Sequence, residues 1–145
     1  MATRTMIDEF LTNHRLALVR SSPSSPIRGA KIDEELGGKG YEVAVVYLDE
    51  SVPEPRLADL RGQAEGVIIA VPQDQCEQAV REAIEAKIPR AWLQRGCESK
   101  SAIALCEQEG IPVVHGECVL MYAEPVKSFH AFHRWLWKAL GLYAK

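Results

Sequence analysis

The chain has 145 residues, 47% of them hydrophobic and 26% charged, which suits one globular domain with a real core. With 17 Lys and Arg against 20 Asp and Glu, the formal net charge is −3. No basic surplus points to a nucleic-acid partner, so any anion site has to be local.

No apolar run approaches the ~20 residues that span a bilayer. Met1 to Asn13 mixes Arg4, Asp8 and Glu9 with apolar residues instead of forming a signal-peptide core. The expectation is a single domain over residues 1–145, cytoplasmic, with no membrane partner. Cys76, Cys97, Cys106 and Cys118 form no CxxC pair, and reduced thiols are expected of them.

Along the chain, apolar β-rich runs alternate with helical patterns. A helix over Thr5 to Thr12 precedes a short buried strand, Leu16 to Val19. Four serines and two prolines follow, and a helix is expected from Ser25 to about Lys39. Ser25 would be its N-cap and Pro26 its first helical residue, where a missing N–H costs nothing. Ile27, Ala30 and Leu36 would face the sheet, and Gly37, Gly38 and Gly40 would end the helix.

Tyr41 to Leu48 is the second strand, and a helical turn is expected near Leu57 to Arg61. Val67 to Val71 is a third strand, apolar on both faces, as in a parallel sheet covered on both sides. A helix over Gln73 to Lys87 would turn Ala79, Val80, Ala83 and Ile84 inward. Arg90 to Gln94 is strand four, Glu98 to Glu109 a helix closed by Gly110, and Ile111 to Val114 strand five, with Pro112 favouring an edge. A last helix covers roughly Val126 to Leu142. The pattern predicts an α/β fold: a Rossmann-like doubly wound parallel sheet of about five strands, with flanking helices and an extra C-terminal helix.

In such sheets ligands sit beyond the carboxyl ends of the strands, at the switch point. The loops that matter are therefore Arg20 to Ser25, Asp49 to Ser51, Val71 to Asp74 and Arg95 to Cys97, with His115 to Leu120 nearby. The first loop has no glycine, which would let a phosphate approach the backbone closely. It does have serine hydroxyls, a helix start with free N–H groups, and Arg20 and Arg28. A plain Ser/Pro turn with an N-cap explains the same residues. Asp49 stands where an acid can hold a ribose hydroxyl, and a solvated loop acid is the simpler account.

Several segments together resemble the small single-domain CoA-binding proteins, relatives of the CoA-binding domain in the α subunit of succinyl-CoA synthetase. The likeness covers roughly Leu16 to Met121 and is best in the second half. It rests on Val71-Pro72 ending an apolar strand, the Trp92-Leu93-Gln94 strand, the Gly96 loop, and Cys118 with Leu120-Met121. The resemblance implies that coenzyme A or an acyl-CoA lies across the carboxyl edge of the sheet. Its pyrophosphate would meet Arg20, Ser21, Ser22, Ser24 and Ser25. Its adenosine would contact the segments after strands two and three, including Asp49, Val71 and Pro72. Gln94, Arg95 and Gly96 would approach the ligand. The family's usual Gly-x-Ser turn after strand one is Val19-Arg20-Ser21-Ser22 here, and its Asn-Pro after strand two is Leu48-Asp49-Glu50. Weaker or altered nucleotide binding is the expectation from those two changes.

His115, Cys118, His130 and His133 have spacings that a tetrahedral zinc site could use. A hydrogen-bonded core histidine is the simpler account of His133, which lies in the apolar stripe Phe129, Phe132, Leu136 and Leu140. Cys118 reads as a buried structural thiol. Cys97 reads as the exposed one, and Cys97 or Cys76 as a place where CoA could form a mixed disulfide. Trp135, Trp137 and Tyr143 put aromatics on more than one face of the tail helix, which leaves a homodimer open. No catalytic constellation stands out. The reading is a CoA-binding module without catalysis. Two alternatives stand beside it. One is a sensor or enzyme using NAD or another adenine nucleotide, supported by Asp49 and opposed by the missing Gly-x-Gly-x-x-Gly. The other is a degenerate domain kept for protein contact.

Overall fold

The structure is a computed structural model and describes residues 3–23, 32–52 and 55–122. The first helix, α1 (Arg4–Leu11), starts where the Thr3 hydroxyl accepts from the Met6 N–H at 3.2 Å. It buries Ile7 and Phe10. Strand β1 (Arg15–Arg20) follows, then α2 (Ile32–Gly38) and β2 (Glu42–Tyr47). The expected start of the second helix, with the Ser25 cap, Pro26, Ile27 and Ala30, lies outside the described residues. Its end is as expected: the Tyr41 N–H reaches back to the Leu36 carbonyl at 3.0 Å, with Gly40 at φ +99° making the turn.

A 3₁₀ turn at Leu57–Leu60 is all the helical structure described between β2 and β3 (Gly66–Ala70). A second 3₁₀ turn, Gln73–Gln75, leads into α3 (Cys76–Glu85). Then come β4 (Ala91–Gln94), α4 (Lys100–Gln108), capped by the Ser99 hydroxyl, and β5 (Val113–Glu117). A final 3₁₀ turn covers Val119–Met121. The strand five expectation began two residues early. Pro112 has no N–H to give the ladder, and it joins only as an acceptor, taking the Ala91 N–H at 3.0 Å.

The five strands form one parallel sheet in the order β2-β1-β3-β4-β5. This is the α/β, Rossmann-like arrangement that alternating apolar runs predict. Every residue of β3 and β4 is buried, because helices cover both faces. On one face Ala17, Val19, Val67, Ile69 and Leu93 meet Ala79, Val80 and Ala83 of α3 and Ala102 and Cys106 of α4. On the other, Leu16, Leu18, Ile68 and Trp92 meet Ile7 and Phe10 of α1 and Ile32 and Leu36 of α2. Trp92 is fully buried, stands edge-on to Phe10 at 5.3 Å, and gives its indole N–H to the Glu117 carbonyl at 2.9 Å. The tail helix expected over Val126 to Leu142 lies outside the described residues. No helix among the described residues is long and apolar enough to cross a membrane.

Candidate functional site

From β1 the chain crosses to β2 on one side, and after β2 it returns to pair β3 on the other. Arg20 at the end of β1 therefore pairs with Tyr47 on one flank and Ala70 on the other. The loops after β1 and β3 leave in opposite directions, and the crevice between them is the switch point of the sheet.

Ser21 touches both sides of that crevice. Its carbonyl accepts the Asp49 N–H at 3.0 Å, which prolongs the pairing toward the β2 loop. Its hydroxyl donates to the Gln75 side-chain oxygen at 2.9 Å, which ties it to the β3 loop. Arg20 is half-buried, with its guanidinium carbon 6.0 Å from the centre of the Tyr47 ring, an arrangement that suits a cation–π contact. That places its charge on the β2 flank. Ser22 is half-buried and Pro23 exposed. Ser24 and Ser25 lie outside the described residues.

After β2, Asp49 folds back on its own loop. Its Oδ1 accepts from the Ser51 hydroxyl at 2.7 Å and the Ser51 N–H at 2.9 Å. The hydroxyl and then the N–H hold this exposed carboxyl below the usual range, and the Arg56 charge adds to them. Sequence reasoning missed Arg56. One of its terminal nitrogens, Nη1, donates to the carbonyls of Tyr47, Asp49 and Val52 at 3.1, 3.2 and 3.3 Å. The signal was an arginine in a proline-punctuated loop whose carbonyls have no ladder to join.

At the end of β3, Val71 is buried. The Pro72 carbonyl accepts the Gln75 N–H at 2.9 Å and closes the turn that aims Gln75 at Ser21. Gln75 is the second residue that sequence reasoning missed.

Gln94 ends β4 with only 4% of its surface exposed, and both ends of its amide are engaged. Its oxygen accepts the Val119 N–H at 2.8 Å, and its nitrogen donates to the Cys118 sulfur at 3.4 Å. Arg95 is exposed, and its N–H donates to the Glu117 carbonyl at 3.2 Å. Gly96 adopts φ +87°, a conformation that other residues rarely take. Its N–H donates to one oxygen of the Glu98 carboxylate at 3.2 Å, and the Gly116 N–H donates to the other at 3.3 Å.

That Gly96 turn corrects the expectation for Cys97. It sends Cys97 inward, where it is buried with Cys76 and Cys106 between α3, α4 and the sheet. A hydrogen bond with Cys97, joined by burial, pushes the Cys76 thiol far up, and burial pushes Cys106 up to about 11. Neither Cys97 nor Cys76 is placed to meet a ligand thiol. Cys118, expected to be buried, is the half-exposed thiol. Among the described residues no three His, Cys, Asp or Glu side chains come together to hold a metal ion. His130 and His133 lie outside the described residues.

A cavity of about 250 Å³ opens at the opposite pole, lined by Arg15, Glu42, Ala44, Leu60 and Gln63 among others. It lies at the amino ends of β1 and β2, away from the switch point.

Residues 14–124 match the family model described as a CoA binding domain. No curated protein matches. Among solved structures, the chain is similar to a protein redesigned for binding, with 26% identity and a TM-score of 0.69 over 83% of this chain and 89% of that one. A hypothetical protein from Pyrococcus horikoshii OT3 is 20% identical, with a TM-score of 0.64 over 83% and 89% of the two chains. A protein from Thermus thermophilus is 18% identical, with a TM-score of 0.61 over 83% and 96%. At these identities the last two speak for the fold alone.

Proposed function

The chain belongs to the CoA-binding domain family, and on that premise we propose that it binds coenzyme A or an acyl-CoA without catalysis. The observation that carries the reading is the family match over residues 14–124, which spans all five strands and the crevice between the β1 and β3 loops. In the proposed complex the diphosphate meets Arg20, Ser21 and Ser22, with Ser24 and Ser25. The adenosine lies toward Asp49, Val71 and Pro72. Arg95 and Gly96 approach from the β4 end. Gln94 shapes that end through its fixed amide.

The Arg20 guanidinium, 6.0 Å from the Tyr47 ring, brings a positive charge to the β2 flank of the crevice. NAD fits less well. The chain lacks the Gly-x-Gly-x-x-Gly turn of dinucleotide-binding folds, and Ser51 already occupies Oδ1 of Asp49, the acid that would hold its ribose.

Calorimetric titration of the reduced protein with CoA, acetyl-CoA and NAD tests this, with Ser22→Trp as a blocked-loop variant. Saturable binding of CoA and acetyl-CoA, lost in the variant and absent with NAD, is expected. Acetyl-CoA should remain intact on prolonged incubation. Absence of heat and of any thermal shift with CoA at millimolar concentration would overturn the reading and favour a scaffold for a protein partner.

A further inference from the structure

We propose that the side-chain amide of Gln75 is a ligand-binding group, donating from Nε2 to the diphosphate of the bound CoA; the inference rests on the CoA reading above.

The β1 loop has no glycine among Arg20, Ser21, Ser22 and Pro23. Each of those residues carries a Cβ, which holds a phosphate away from the backbone N–H groups that a glycine-rich loop would present. Donors with longer reach must then come from side chains. Gln75 stands directly across the crevice, on the 3₁₀ turn after β3, and is half-buried.

Its amide is oriented by the protein itself. The Ser21 hydroxyl donates to Oε1 at 2.9 Å, so the oxygen faces the β1 loop and Nε2 is turned away from Ser21 with two N–H donors. No described residue accepts from Nε2. Ser21 therefore fixes the orientation of Gln75 before any ligand arrives, which spares the cost of ordering it on binding. With the Arg20 charge on the β2 flank, an entering diphosphate would meet a cation on one side and an oriented amide on the other.

The test is titration of wild type, Gln75→Glu and Gln75→Met with CoA and with dephospho-CoA. Gln75→Glu keeps the length of the side chain and an acceptor for Ser21, but replaces the donors with a negative charge. Gln75→Met keeps the length and removes the donors without adding charge. The expected result is CoA binding weakened about tenfold or more by Gln75→Glu and severalfold by Gln75→Met, in line with a hydrogen bond to a charged group. Dephospho-CoA, which keeps the diphosphate, should lose as much as CoA. Wild-type affinity in both variants would overturn the proposal and leave Gln75 as a strut between two loops. A loss confined to CoA would overturn it too, by moving the contact to the 3′-phosphate. If wild type binds neither compound, the CoA reading fails and this inference falls with it.

Discussion

Replacing Gln94 by leucine separates anchoring from ligand contact at the β4 end. The amide is nearly inaccessible and holds the Val119 N–H at 2.8 Å and the Cys118 sulfur at 3.4 Å. Leucine is close in volume, so the cavity left is small. The cost comes from the buried Val119 N–H, which loses its acceptor. An orphaned buried donor costs about 1–3 kcal/mol, and the bond to sulfur adds little. A loss of about 2 kcal/mol in a domain of this size lowers Tm by roughly 6–10 °C. Urea unfolding followed by circular dichroism, alongside a thermal scan, measures it. CoA affinity in the folded variant should stay within about threefold of wild type, because the amide is buried and held by the protein's own groups. A stability loss below about 0.5 kcal/mol would refute the anchoring argument. A tenfold loss of CoA affinity at unchanged stability would refute it from the other side.

Gly66→Ala should destabilise by about 1–3 kcal/mol in the same assay. A Cβ there would sit 3.0 Å from Phe10 and 3.1 and 3.2 Å from Arg90 and Leu16, and Phe10 is itself packed against Trp92. Equal or greater stability would show that this corner is loosely packed. Of the four thiols, Cys118 should react quickly with a water-soluble disulfide reagent near pH 8, while Cys76, Cys97 and Cys106 react only on unfolding. Fast modification of Cys97 in the folded protein would contradict the inward Gly96 turn. Glu65 is held below the usual carboxylate range, first by the Arg15 N–H and then by the His14 N–H. A lowered folded value means that this stabilisation is complete above the unfolded value of about 4.3 and is lost as pH falls through the folded one. Glu65→Gln should therefore flatten the acid limb of a stability–pH curve below about pH 4.5, and an unchanged limb would refute the assignment.

Five strands were legible because runs such as Val67 to Val71 are apolar on both faces, which fits few settings besides the middle of a parallel sheet. The crevice followed from topology, since ligand loops gather at strand carboxyl ends. Individual side chains at the site were harder to read. Gln94 and Cys97 stand on either side of a turn that sequence marks as ligand-facing, yet both are buried: Gln94 because its amide is held by Val119 and Cys118, and Cys97 because the chain turns on one φ angle at Gly96. Cys118 is half-exposed for a related reason: β5 runs on to Glu117, three residues past the expected end, and the chain leaves the sheet later. Gln75 and Arg56 went unnoticed because their roles come from partners on other elements. Ser21 and Gln75 are 54 positions apart, and no local pattern announces that bond.

The most direct test of the central claim is an amide chemical-shift titration of the isotope-labelled protein with CoA. The account predicts saturable shifts at Ser21, Ser22, Val71, Gln75 and Gly96, around the carboxyl ends of β1, β3 and β4. Shifts confined to Arg15, Glu42, Ala44 and Gln63, which line the cavity at the opposite pole, or no shifts at millimolar CoA, would contradict it.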